Sequence, residues 1–153
     1  DEVCRKVYDM LCLRCPEGVN LLYDESDKSV AVLGDLGRVT QVISNIVSNA
    51  FKFTTSGYVR YGYQVVNEAE VEVYIRDTGQ GIPQEKLGNI FDRFVKADEN
   101  VQGTGLGLSI CKTIMERLGG QIHVTSEVGK GTSFVFTLPR TLECPARTSD
   151  LFV

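Results

Sequence analysis

The chain has 153 residues, with 16 Lys plus Arg against 20 Asp plus Glu, one His, five Cys and no Trp. That length suits one globular domain, and 42% apolar with 24% charged residues supplies a core and excludes wholesale disorder. A net charge of −4 speaks against general affinity for nucleic acid or for direct contact with an anionic membrane, and no run of about 18 apolar residues exists to span a bilayer.

The first residues, Asp1-Glu2-Val3-Cys4-Arg5-Lys6, lack the basic-then-apolar order of a signal peptide and carry no initiator Met, so the chain reads as a fragment of a longer protein. The cysteines, Cys4, Cys12, Cys15, Cys111 and Cys144, are odd in number and scattered. That usage suits a reducing interior, hence a cytoplasmic location, either free or as the cytoplasmic part of a membrane-bound sensor. Cys12-Leu13-Arg14-Cys15 is a C-x-x-C, but no second Cys pair or His pair completes tetrahedral zinc, and no βαβ context suggests thioredoxin chemistry. It reads as two thiols near a helix end.

Apolar groups at Val3, Val7, Tyr8, Met10 and Leu11 have helical spacing, which stops before Pro16-Glu17-Gly18. Val19 to Tyr23 and Val30 to Leu33 are predicted as short strands about a turn at Asp24–Lys28. From Asp35 a second helix is predicted, with Val39, Val42, Ile43, Ile46, Val47 and Ala50 on one stripe, ending at Thr54-Thr55-Ser56-Gly57. Val59, Tyr61, Tyr63 and Val65, then Val71, Val73 and Ile75, alternate as a hairpin with one buried side. Asp77 to Gln102 is a long Gly-rich connection, expected to hold one short helix near Phe91. A helix from about Gly105 to Leu118 is expected to bury Leu108, Ile110, Cys111, Ile114 and Met115 and to end at Gly119-Gly120. Ile122 and Val124, then Phe134, Phe136 and Leu138, form two last strands about Val128–Gly131. Residues 1–140 read as one domain and 141–153 as a flexible or vector-derived tail. The pattern does not alternate as βαβ, so the expected fold is an α+β two-layer sandwich: a mixed sheet of about five strands with about three helices on one face.

Three segments carry candidate chemistry. On the helix after Asp35, the residues Arg38, Gln41, Asn45, Asn49 and Lys52 fall within an arc of about 80° opposite the apolar stripe. A polar stripe is ordinarily a solvated face, yet Asn is a poor helix former there. An Asn carbonyl can ligate a metal, and a Lys on the same face can offset phosphate charge. In Asp77-Thr78-Gly79-Gln80-Gly81-Ile82-Pro83, Asp77 continues the inward parity of Val71, Val73 and Ile75. A buried carboxylate is costly without a donor, and glycines allow close backbone approach to a ligand; a capping Asp before a turn is the plainer reading. Gly103-Thr104-Gly105-Leu106-Gly107-Leu108 runs into a helix, where free amides make an anion site. Its spacing is neither a dinucleotide fingerprint nor a Walker A loop.

Taken in order, Asn45-Ile46-Val47-Ser48-Asn49-Ala50-Phe51-Lys52-Phe53-Thr54, Asp77-Thr78-Gly79-Gln80-Gly81-Ile82, Phe91-Asp92-Arg93-Phe94 and Gly103-Thr104-Gly105-Leu106-Gly107-Leu108 closely resemble the N, G1, F and G2 boxes of sensor histidine kinases. Gly129-Lys130-Gly131-Thr132-Ser133-Phe134 resembles their final Gly-x-Gly-Thr motif. The resemblance covers about residues 1–140 and points to the catalytic ATP-binding domain of a two-component sensor kinase, with the Bergerat-type fold.

It implies ATP and Mg²⁺ as cofactors. By residue-wise carry-over, Asn49 holds the metal against the triphosphate, Asn45 and Lys52 lie by the phosphates, and Phe53 lies beside the nucleotide. Asp77 accepts from the adenine amino group, supported through water by Thr132, while Gly79, Gly81 and Ile82 shape the base pocket. Gly103, Thr104, Gly105 and Gly107 wrap the phosphates, with Leu106 and Leu108 fixing that loop. Phe91 and Phe94 anchor the lid to the core, Phe94 also counting among the nucleotide-binding residues. Lys96 takes the place of a basic residue that neutralises the transferring phosphoryl group. Phosphoryl transfer needs mainly positioning and charge neutralisation.

Hydrolysing relatives place a water-activating Glu four residues before the metal Asn. Here that residue is Asn45, which cannot act as a base, so the resemblance implies transfer to a protein. The acceptor His is missing: His123 sits at solvent parity in a strand with no adjacent acid. The implied partners are the dimerisation and phosphoacceptor domain of the same parent kinase and, indirectly, a response regulator. Other readings are a serine kinase of the same superfamily, a nucleotide-free scaffold and a C-x-x-C redox module.

Overall fold

The computed structural model describes residues 1–96, 99–100, 103 and 105–141. The expected tail over 142–153 and the candidate Thr104 lie outside the described residues. Helix α1 (Glu2–Leu11) is followed by a 3-10 turn over Cys12–Arg14, then strands β1 (Val19–Asp24) and β2 (Ala31–Val32). Helix α2 (Leu36–Phe53) precedes the hairpin β3 (Gly57–Val65) and β4 (Glu70–Asp77). The short helix α3 (Gln84–Leu87), helix α4 (Gly107–Arg117) and strands β5 (Gln121–Glu127) and β6 (Gly131–Thr141) complete the fold.

Six strands form one mixed sheet in the order β1-β3-β4-β6-β2, with β5 paired to β6. Only β1 with β3 is parallel; the other pairs are antiparallel. The β1-to-β3 connection through α2 is thus one βαβ-type crossover that strand alternation alone did not reveal. Its length made the two strands look unrelated, because β2 intervenes in sequence and pairs elsewhere.

Helices α1, α2 and α4 each bury a single apolar stripe. Helix α1 buries Cys4, Val7 and Leu11, and α2 buries Val39, Val42, Ile43, Ile46, Val47 and Ala50. They meet Val59, Tyr61, Tyr63, Val71, Val73, Ile75, Phe134, Phe136 and Leu138 from the sheet. The Tyr61 hydroxyl donates to the Cys4 carbonyl at 2.8 Å, which satisfies a polar group that burial would otherwise penalise.

Two local expectations need correction. The short helix near Phe91 lies earlier, at Gln84–Leu87, with Pro83 as its extended N-cap; Phe91 itself is in a turn. On α4, Ile110 is 39% exposed rather than buried. Cys111, Ile114 and Met115 take the core stripe, leaving Ile110 turned to the side and Leu108 half-buried at the margin of the core.

Asp35 caps α2, its carboxylate accepting from the Gly37 N–H at 2.8 Å and the Arg38 N–H at 3.3 Å. Since α2 carries much of the core, Asp35→Ala should cost about 1 kcal/mol of stability, read as a lower urea midpoint at unchanged slope.

Candidate functional site

Strand register builds the centre of the site. Val59 pairs with Asp77 and Asp77 with Thr132, so these three residues form one row at the end of the sheet. The inward parity expected for Asp77 is what this row requires. Its Oδ1 accepts from the Gly79 N–H at 2.9 Å and from the Thr132 N–H at 3.2 Å. Oδ2 accepts from no donor among the described residues, and is left to receive a ligand. Burial pushes the Asp77 carboxyl above its ordinary value, against the two amide bonds, which pull it down.

Thr132 makes a direct contact to Asp77 through its main-chain N–H. Its hydroxyl lies 2.8 Å from Ser126 Oγ. Ser126 Oγ donates its own proton to the Gly131 carbonyl at 2.9 Å, so Thr132 must be the donor of that pair. Ser126 also accepts from the Ile82 N–H at 2.8 Å. Sequence reasoning did not find this residue. Its one visible signal is that it shares the inward parity of Ile122 and Val124 while being a small hydroxyl.

The glycines serve the frame as much as any ligand. A Cβ on Gly79 would lie 2.5 Å from the Phe53 carbonyl, on Gly81 2.2 Å from that of Glu127, and on Gly131 2.0 Å from that of Asp77. At these positions the close approach is between protein backbones. Gly81 also has φ +76°, which favours Gly. The Gln80 N–H donates to the Phe53 carbonyl at 3.1 Å and the Gly129 N–H to that of Gln80 at 2.8 Å. Phe53 and the buried Ile82 are thereby brought beside Asp77.

Asn45, Asn49 and Lys52 occupy the outer face of α2, the two Asn half-buried and the Lys exposed. The Asn49 side chain hydrogen-bonds to no described residue, and Lys52 pairs with no carboxylate among them. The Lys52 Nζ reaches the phosphate-loop candidates: a Cβ on Gly103 would stand 3.3 Å from it. Gly107 begins α4 with open space about it, and Leu106 and Leu108 flank it half-buried. At the other end of the stripe, Arg38 donates to Gln41 at 2.9 Å, an ordinary surface pair.

The two Phe of the third motif separate. Phe91 packs edge-on against Phe134 at 6.2 Å and anchors its segment to the core. Phe94 does not; it is 71% exposed with φ 63°, and its N–H donates to the Gly105 carbonyl at 3.0 Å. A positive-φ turn held by its backbone directs this ring outward. Lys96 follows, half-buried. His123 is exposed on β5, as its parity indicates. Among the described residues, no three His, Cys, Asp or Glu side chains group as metal ligands, and no helix is long and apolar enough to cross a membrane.

Comparison with known proteins agrees with this geometry. A sequence model described as "Histidine kinase-, DNA gyrase B-, and HSP90-like ATPase" matches residues 34–142. Sensor protein SrrB of Staphylococcus aureus (strain MRSA252) is 44% identical over 127 residues, covering 80% of this chain and 22% of its own length. The chain thus spans about a fifth of the curated relatives it matches. Among solved structures, full-length ShkA in complex with AMPPNP superposes with TM-score 0.84 at 31% identity, over 95% of this chain and 31% of ShkA. The nucleotide-free catalytic domain of histidine kinase ThkA gives TM-score 0.79 at 29% identity, over 92% of this chain and 93% of that one. The site and fold define an ATP-binding domain of the sensor histidine kinase kind. The chain belongs to the histidine kinase-, DNA gyrase B- and HSP90-like ATPase family.

A raised carboxyl pKa on a buried Asp couples stability to pH. The folded state holds that proton more tightly than the unfolded chain, so the charged form costs stability above the folded pKa and the cost is relieved as pH falls through it. Asp77→Asn should therefore leave apo stability equal or higher while weakening nucleotide binding at least tenfold. Wild-type affinity should fall on acidification and the variant's should not; calorimetric ADP titrations across pH, beside thermal melts, check both.

Proposed function

We propose that this domain binds Mg-ATP and donates the γ-phosphoryl group to a histidine on a separate dimerisation domain, as a step in two-component signalling. The observation that carries the reading is Asp77: on this half-buried side chain one carboxylate oxygen is held by two backbone amides and the other accepts from no described donor, so that an exocyclic amino group would satisfy it.

The residues present fit a magnesium triphosphate. Asn49 offers an amide oxygen that no described residue engages, a hard ligand of the type Mg²⁺ accepts, and Lys52 stands at the Gly103 loop as a cation without a carboxylate partner among the described residues. Bound Mg²⁺ supplies neutralisation of phosphate charge. Asp77 orients the base, with Thr132, Ser126 and Ile82 fixing the wall behind it. Asn45, an amide, orients a phosphate or water without taking a proton, which suits transfer to a protein side chain over hydrolysis. Lys96 is assigned the neutralisation of the transferring group. These roles use positioning and electrostatics alone, the main sources of rate in phosphoryl transfer.

A surface groove beside Phe94 would serve as a docking face for the acceptor. Phe94, Leu106, Ile110 and Leu118 line a surface groove of about 480 Å³ rimmed by Arg38, Arg93 and Arg117. An amphipathic helix with acidic flanks would suit it, and the outward turn of Phe94 and Ile110 gives those exposed side chains a purpose.

With γ-labelled ATP and Mg²⁺, the chain alone should bind nucleotide and acquire no stable label, since its one His is a surface strand residue. Label appearing on this chain would overturn the missing-acceptor reading. Added to a purified dimerisation domain, it should transfer label that is acid-labile and base-stable; a base-labile, acid-stable product would indicate serine instead. Asn49→Asp should lower Mg-ADP affinity by tenfold or more, and an unchanged titration would mean the nucleotide residues are misassigned. Ile110→Glu should leave ADP affinity within twofold and cut the transfer rate severalfold, because a charge would replace an apolar anchor in the groove.

A further inference from the structure

The candidate nucleotide-site residues include none of the described cysteines, yet two of them are placed together. Cys12-Leu13-Arg14-Cys15 joins α1 to β1. Cys12 closes α1 with φ −57° and ψ −37° and opens the 3-10 turn, and the Cys15 N–H donates to the Cys12 carbonyl at 3.4 Å. In such a turn residues i and i+3 eclipse, with a rise of about 2 Å each. Their Cα atoms therefore stand about 6 Å apart, within the range of roughly 4.4–6.8 Å that a disulfide spans.

Both thiols are free and half-buried, and both pack against the same core, so they leave the turn on one side. Each donates at present only to a main-chain carbonyl: Cys12 to Asp9 at 3.6 Å and Cys15 to Val19 at 3.1 Å. Thiol bonds of this kind are weak, and little is lost by giving them up. Between the two, Leu13 is 92% exposed and Arg14 is exposed, which leaves the turn open to a reagent. Cys4 and Cys111, by contrast, are fully buried.

We propose that Cys12 and Cys15 are a redox-active dithiol, a modification site that closes to an intrachain disulfide with a hydroperoxide as oxidant. One thiolate displaces alkoxide or hydroxide from the peroxide O–O bond, giving a sulfenic acid and releasing alcohol or water. The second thiol attacks the sulfenic sulfur, forms the S–S bond and releases water. Two thiols lose two electrons and two protons; the peroxide gains them. Burial pushes the Cys15 thiol above its ordinary value, so the reduced thiolate is not stabilised. That suits a disulfide that persists once formed, in contrast to the low-pKa dithiols of strong oxidants. Zinc is a poor occupant, there being no third ligand among the described residues.

The test uses the folded chain, treated with hydrogen peroxide, alkylated under denaturing conditions and digested with trypsin. Cleavage after Lys6, Arg14 and Lys28 separates the two cysteines, so the expected product is peptide 7–14 joined to 15–28 and released by reductant, or uncut 7–28 lighter by two hydrogens. It should form in the majority of chains, with Cys4 and Cys111 recovered alkylated. Cys12→Ser should abolish it, leaving Cys15 alkylated, at unchanged ADP affinity. Both peptides recovered singly alkylated, a bridge from either thiol to Cys144 or to a second chain, or over-oxidation of Cys12 without a bridge would each overturn the proposal.

Discussion

The site depends on a carboxylate held where a carboxylate is unwelcome. Asp77 ends β4 on the inward side of the sheet, in the row that also holds Val59 and Thr132. Burial raises its pKa, and two backbone amides restrain that rise by binding a single oxygen. Much of the surrounding structure serves those two amides. One comes from Gly79, whose turn is possible because the Phe53 carbonyl approaches it without a Cβ in the way. The other comes from Thr132, brought over by the β4–β6 pairing and kept close by Gly131. Ser126 then ties the Ile82 and Gly131 segments together. Remove the charge and the frame keeps its shape; remove the frame and the charge has no support.

Helix α2 divides its work by face. Its apolar stripe is the main contact between helix layer and sheet, while Lys52 on the opposite face reaches the loop at Gly103. Core packing and ligand positioning therefore share one rigid element. Interiors are close-packed and deform little, so the polar face inherits its placement from the buried one. The segment around Phe94 has less backing. Phe91 fastens it to Phe134, and beyond that point the Phe94 N–H bond to the Gly105 carbonyl reaches across to the phosphate loop.

Much of this was legible in the residues. Helix stripes and strand alternation report burial directly, because a side chain's face follows from a period of 3.6 or 2. The inward parity of Asp77, the surface position of His123 and the polar face of α2 all follow from that rule. Where it failed, the packing of an element or the conformation of its backbone decided the outcome. Ile110 fits an apolar helix pattern, but Cys111, Ile114 and Met115 already fill the space facing the core. Phe94 resembles an anchor by residue type, but its positive φ turns the ring outward. Gly79 and Gly81 read as ligand contacts and are also contacts between protein backbones, which no single segment displays.

By itself, then, the sequence determined the elements, their buried faces and the order of motifs that marks the family, since each depends on residues a few positions apart. It also set the single histidine on the exposed side of its strand, away from the residues that converge on Asp77. Tertiary structure alone decided the rest: that β1 runs parallel to β3, that Asp77 and Thr132 meet through one oxygen, and that Ser126 joins the site. The physical reason is the same throughout. Strand register and the close approach of separate segments depend on partners that no local stretch of chain contains.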